Sequence, residues 1–139
     1  MTYALDTNII SYFLRDEGNV RKNVELEILQ GGKPYAIPPM TIYEIQRWLR
    51  NEPNEEKLEF ARKFDRLLRA GEEKSEMTLD VWVKAADIYI DLQQRKQLFK
   101  NPDADIVIAS FCLINDYTLV TNNTNHFERI KGLKIVDWF

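Results

Sequence analysis

Thr2-Tyr3-Ala4-Leu5-Asp6-Thr7-Asn8-Ile9-Ile10 is the stretch on which the fold turns. Its apolar run predicts a short strand, roughly Thr2 to Asp6, that ends on a carboxylate. Thr7 or Asn8 is suited to cap the helix that follows, Ile9 to Leu14. A strand that passes into a helix across so tight a turn begins a β-α unit. A carboxylate at the end of an apolar run is costly to bury unless something compensates it. Asp6 therefore has two readings of equal weight. It caps the helix, or it belongs to a site at the edge of a sheet.

The same alternation continues outward from this segment. Asp16-Glu17-Gly18-Asn19 breaks the first helix, a second helix is predicted from Val20 to Gln30, and Gly31-Gly32 stops it. Tyr35-Ala36-Ile37 reads as a strand closed by Pro38-Pro39. Thr41 is the predicted cap of a third helix, with Glu44 as its capping-box partner. Glu55 to Ala70 is a charged amphipathic helix that Gly71 ends. A short strand is predicted near Glu76-Met77-Thr78. A long helix follows from Leu79 to Leu98, with Val83, Ala86, Ile90 and Leu92 turned inward. Asn101-Pro102 opens another helix that ends near Asn115-Asp116. Thr118 to Thr121 and Leu133 to Val136 complete the strands. Strands alternating with helices imply a central parallel sheet of about five strands with helices on both faces. Sites in such folds form beyond the carboxyl ends of the strands.

Further acids stand in comparable positions. Glu44 interrupts the stretch Ile42-Tyr43-Glu44-Ile45, and Asp105 directly precedes Ile106-Val107-Ile108-Ala109. Glu44 has a plain alternative in the capping box, and Asp105 has one in the helix dipole. Residues two apart on a helix face different ways, so Asp105 is the expected primary group and Asp103 a second acid at the rim. Three carboxylates from separate segments would repel one another at one point. A hard divalent cation, Mg²⁺ or Mn²⁺, relieves that repulsion. The pattern thus points to metal-assisted phosphodiester chemistry. The polar stretch Thr121-Asn122-Asn123-Thr124-Asn125-His126 follows a strand end and is expected to join the site as a loop, although such residues also simply form turns.

Bulk properties bound the reading. A chain of 139 residues makes one domain, 1–139, with a real core. Its 45% hydrophobic and 29% charged residues are those of an ordinary globular protein, and its single cysteine, Cys112, lies in an apolar run and forms no internal disulfide. A net charge of -3 disfavours strong sequence-blind nucleic-acid binding without excluding it, because basic residues local to a site suffice. Arg47, Arg50, Arg95, Lys96 and Lys100 are candidates for that role. No secretory leader and no membrane-spanning run is evident, so a cytoplasmic location is expected.

Taken together these segments resemble the PIN-domain family, and within it the VapC-type toxins of bacterial toxin–antitoxin systems. Leu5-Asp6-Thr7-Asn8 is similar to the family's opening motif, and Thr41 to Glu44 to its second. Asp103-Ala104-Asp105-Ile106-Val107-Ile108-Ala109-Ser110 is similar to its third, and Thr121 to Phe127 to its fourth. Gly132-Leu133 and Asp137-Trp138 resemble its usual ending. The resemblance covers nearly the whole chain and rests on four motifs in order. It implies a PIN-like α/β/α sandwich and a Mg²⁺- or Mn²⁺-dependent endoribonuclease. Asp6, Glu44 and Asp105 match the metal-binding acids, with Asp103 beside them. Asn8, Thr121 and Asn123 would support the site. His126 departs from the family, many of whose members place a fourth acid there. The resemblance further implies an RNA substrate, a cognate antitoxin protein and a homodimer. The antitoxin is expected against the aromatics of the early helices, Tyr12, Phe13, Trp48, Phe60 and Phe64, although core packing is the favoured role for at least half of them.

Other readings compete. A PIN-fold nuclease of RNA processing, or a binding module without activity, would keep the same residues. A phosphatase or receiver-type domain also puts an acid after the first strand. The haloacid phosphatase pattern requires a second aspartate two residues on, where this chain has Asn8, and a receiver requires paired acids that Asp6 lacks.

Overall fold

The computed structural model describes residues 1–71 and 76–139. Four short strands form one sheet: β1 (Tyr3–Leu5), β2 (Tyr35–Ala36), β3 (Thr118–Val120) and β4 (Ile135–Val136). The order is β2-β1-β3-β4, and every neighbouring pair is parallel. The helices are α1 (Thr7–Arg15), α2 (Val20–Val24), α3 (Pro39–Arg50), α4 (Glu55–Ala70), α5 (Leu79–Gln94), α6 (Asp103–Asn115) and α7 (Thr124–Phe127). A wider π-helical turn, Glu25–Gln30, continues α2. No helix among the described residues is long and apolar enough to cross a membrane.

Strand side chains alternate between two faces, and the core is divided accordingly. Ala4, Ala36 and Leu119 face a layer that includes Val81, Ile88 and Leu92 of α5 with Ile108 and Phe111 of α6. Tyr3, Leu5, Tyr35 and Val120 face Ile9, Ile10, Val24, Ile45, Phe60 and Phe64 from the other helices. The result is the expected α/β/α sandwich. Cys112 is fully buried in the first layer, where desolvation pushes its thiol far up.

Several sequence expectations are corrected. The sheet has four strands rather than about five, because 76–78 carries no strand. Thr41 does not cap α3. That helix begins at Pro39, whose ring presets the first helical φ, and Thr41 lies fully buried two residues inside it. α5 is rotated from the predicted phase. Val81, Ala85, Ile88 and Leu92 point inward, whereas Val83, Ala86 and Ile90 are exposed. It also ends at Gln94 rather than Leu98. Pro102 stands one residue before α6, and the polar stretch after β3 contains the short helix α7.

Candidate active site

Strand order reverses between β1 and β3: the chain goes from β1 to β2 on one side and places β3 on the other. Such a switch point opens a crevice beyond the strand ends. Leu5 pairs with Val120, so the next residues on each strand, Asp6 and Thr121, emerge side by side. Both are buried, Asp6 being only 4% exposed.

The Asp6 carboxylate has a neutral donor on each oxygen. The Thr7 backbone N–H donates to Oδ1 at 2.8 Å, which makes Asp6 the N-cap of α1, and the Thr121 hydroxyl donates to Oδ2 at 2.8 Å. The same side chain therefore caps α1 and stands at the switch point. Burial is the larger influence on its acidity. It raises the pKa from 3.8 to about 6, against the pull of the two hydrogen bonds, and the charges of Asp105 and Glu44 raise it further.

Glu44 arrives from the second turn of α3. The Thr7 hydroxyl donates to its Oε1 at 2.8 Å and lies 3.3 Å from the Thr41 hydroxyl oxygen. Thr7 thus ties α1 to α3 by its side chain and braces Asp6 by its backbone. Sequence reasoning left Thr7 out of the site; its place directly after Asp6 was the available signal. Thr41 keeps a part, as a buried neighbour of Thr7 rather than as a cap.

Asp105 is half-buried in the first turn of α6, and its Oδ2 meets two partners from α7 and its cap. Asn123 Nδ2 donates to it at 3.3 Å, and His126 Nδ1 lies 2.8 Å away. Asn123 Nδ2 is also 2.8 Å from His126 Nδ1. The imidazole donates to Asp105 in its Nδ1–H form and accepts from Asn123 in its Nε2–H form. Its ring stacks on Phe99, with centroids 4.0 Å apart. The Asn123 backbone N–H bonds the Thr121 hydroxyl oxygen at 3.0 Å, which joins this group to Asp6. Asp103 is exposed at the start of α6, and Asn8 is exposed on α1. Neither shares in this hydrogen-bond network among the described residues.

The donor chemistry suits a hard divalent ion. The three carboxylates supply oxygen ligands, and among the described residues only His126 offers any of them a basic partner within ion-pair distance. A deeply buried carboxylate without a cation is a group that an added cation would stabilise. Among the described residues no three acidic, histidine or cysteine side chains stand close enough to hold an ion unaided. An ion held here would therefore keep part of its coordination as water, as Mg²⁺ commonly does.

Of the five aromatics expected to form a groove, Phe60 and Phe64 belong to the core. Phe13 lines a separate cleft of about 540 Å³ between α1, α2 and α4, and Trp48 lines a smaller one beside Glu44.

Comparison with known proteins places the chain in a family. The PIN domain family model matches residues 3–133. Ribonuclease VapC1 of Methanocaldococcus jannaschii is 33% identical over 136 residues, covering 96% of this chain and 85% of that protein. Ribonuclease VapC2 of Rickettsia felis is 29% identical over 142 residues, covering 99% and 98%. Among solved structures, VapBC2 from Rickettsia felis bound to a DNA fragment from its promoter superposes with a TM-score of 0.84 at 26% identity, over the whole of both chains.

Proposed function

The chain belongs to the PIN-domain family, and on that premise we propose that it is a VapC-type endoribonuclease, the toxin of a toxin–antitoxin pair, which hydrolyses RNA phosphodiester bonds with the aid of Mg²⁺ or Mn²⁺. The observation that most supports the activity is the linkage of Asp6 at the β1/β3 switch point to Glu44 through Thr7 and to Asp105 through Thr121 and Asn123. The ribonuclease names of its relatives agree with it.

A bound divalent ion would supply Lewis-acid activation of a water and of the scissile phosphate. The chain's own residues do the rest. Asp6, fixed in place by Thr7 and Thr121, would hold the ion. Asp105 adds a second carboxylate, aimed by Asn123 and His126. Glu44, oriented by the Thr7 hydroxyl, would orient the attacking water and accept its proton. Asp103 stands at the rim as a further acid. His126 takes the place of a fourth carboxylate, which favours one ion over two.

Two partners follow. An antitoxin segment with apolar anchors fits the 540 Å³ cleft between α1, α2 and α4, whose rim carries Arg21, Lys33, Lys63 and Arg66. These cations favour an acidic flank on the segment. A homodimer would cover the exposed apolar side of α5, where Leu79, Trp82, Val83 and Ile90 face solvent.

The experiment is cleavage of mixed cellular RNA by the purified protein, with Mg²⁺ or Mn²⁺ and with chelator, beside Asp6→Asn. Metal-dependent cleavage that disappears in the variant is the expected result. Absence of both cleavage and metal binding would overturn the enzyme and leave a binding module on the same scaffold.

A further inference from the structure

An acidic site has a difficulty with its own substrate. Asp6, Glu44 and Asp105 repel a phosphodiester, and the net charge of -3 gives no general attraction to compensate. Binding must then come from cations placed locally. A cleft of about 260 Å³ begins at Glu44 and runs between α1 and α3, and two arginines, Arg15 and Arg47, stand in its walls. Glu44, Arg47 and Trp48 also line a wider concavity of about 640 Å³, into which the cleft opens.

Its walls follow from helix periodicity. On α1, Asn8, Ser11 and Arg15 are spaced i, i+3, i+7 and fall on one face; on α3, Glu44, Arg47 and Trp48 are spaced i, i+3, i+4. Two helices that each pass the acid cluster near their N-terminal halves therefore present polar and basic groups to a shared channel leading away from it. Arg15 is held rather than free. Its guanidinium lies 5.2 Å from the Trp48 ring centroid and 5.7 Å from that of Phe60. Its one carboxylate neighbour, Glu56, is 4.0 Å away and 77% exposed, so its positive charge is scarcely neutralised. The Arg47 guanidinium lies 5.2 Å from the Tyr43 ring centroid and has no acidic partner among the described residues. Asn8 and Ser11 make no side-chain hydrogen bond among the described residues and leave their donors and acceptors to the cleft.

We infer that this cleft is the subsite for the single-stranded nucleotide next to the scissile phosphate, with Arg15 and Arg47 binding its phosphates and Asn8 and Ser11 its sugar and base edge. This rests on the ribonuclease reading and adds the residues that grip the strand. Planar guanidinium groups preset by aromatic faces suit bidentate phosphate contacts. Trp48 serves to fix Arg15 rather than to stack on a base, because Lys57 Nζ also lies 4.8 Å from its ring centroid.

The test measures fluorescence anisotropy of a labelled single-stranded RNA of mixed sequence, in chelator, over a series of salt concentrations. Wild type is compared with Arg15→Gln, Arg47→Gln and a remote control, Lys131→Ala. Each neutralised phosphate contact contributes about 0.7 to the slope of log affinity against log salt on single strands. Each cleft variant is expected to lose about that much slope, and the control none. In parallel, Mn²⁺-dependent cleavage should show a raised KM with kcat largely kept. Arg47→Gln changes an exposed side chain, so it remains informative if Arg15→Gln disturbs packing at Trp48. Wild-type affinity and slope in both cleft variants, or an equal loss in the control, would overturn the subsite while leaving a cleaving enzyme intact. A wild-type protein that neither binds nor cleaves RNA in metal would instead overturn the ribonuclease reading, and the subsite with it.

Discussion

The Thr121 hydroxyl donates to Asp6 Oδ2 at 2.8 Å across 115 positions of sequence. Parallel register makes that contact possible. Because Leu5 pairs with Val120, the residues that follow each of them leave the sheet together at the strand-order switch. One hydroxyl then braces the most deeply buried acid of the site, and the same oxygen accepts from the Asn123 N–H on the way to Asp105.

Thr121→Val tests that brace. The substitution keeps the shape and removes the donor, leaving a buried carboxylate oxygen unpaired at a cost of about 1–3 kcal/mol. The hydrogen bond also holds the Asp6 pKa down, so its loss pushes that pKa higher and weakens metal binding, with an expected fall in affinity of about 10- to 100-fold. Calorimetric titration with Mn²⁺ beside thermal melts measures both. Unchanged affinity would mean that Asp6 is positioned by Thr7 alone.

Asp6 also sets a pH dependence of known sign. Its carboxyl binds a proton more tightly in the folded state, with a pKa of about 6, than at its unperturbed 3.8. The raised pKa therefore favours folding fully below about pH 4, and the advantage is lost as pH rises through about 6. The metal-free protein should lose about 3 kcal/mol over that window. Asp6→Asn removes the dependence, so in chelator the variant should melt higher than wild type at neutral pH and show no gain near pH 4. Added Mn²⁺ should reverse the order by stabilising wild type alone. Melting curves across pH, with and without the ion, decide the matter.

His126 stands 2.8 Å from Asp105 Oδ2, at the sequence position where the family resemblance leads one to expect a fourth acid. His126→Asp should raise the number of Mn²⁺ ions bound from one to two, because the added acid supplies a ligand where the imidazole supplies a hydrogen bond. It should also destabilise the metal-free protein through lost stacking on Phe99 and a new like-charge contact. Titration stoichiometry is the readout. A single ion in both proteins would show that ion number is limited elsewhere in the site.

The rotation of α5 is open to a direct comparison. Ile88 is buried in the core layer and Ile90 faces solvent. Ile88→Ala should cost about 2–5 kcal/mol, whereas Ile90→Ala should change stability by less than about 0.5 kcal/mol. Denaturant melts at a concentration that keeps the protein monomeric separate the two. Equal losses would place both on a packed face.

By itself the sequence determined the layer architecture and marked Asp6, Glu44 and Asp105 as candidates for a site. Strand and helix leave different periodicities, and a carboxylate at the end of an apolar run is conspicuous because burial penalises it. Tertiary structure decided what periodicity leaves ambiguous. α5 is apolar on nearly every side, so Val83, Ala86 and Ile90 were as plausible inward as Val81, Ala85 and Ile88, and only packing on α6 selects one phase. Glu76 to Thr78 is too short for its pattern to outweigh the absence of a pairing partner among the described residues. Thr41 resembled a cap until Pro38-Pro39 started the helix two residues earlier. The link from Thr7 to Glu44, and the meeting of Asp6 with Thr121, depend on strand register and helix placement, which bring together groups that no local pattern relates.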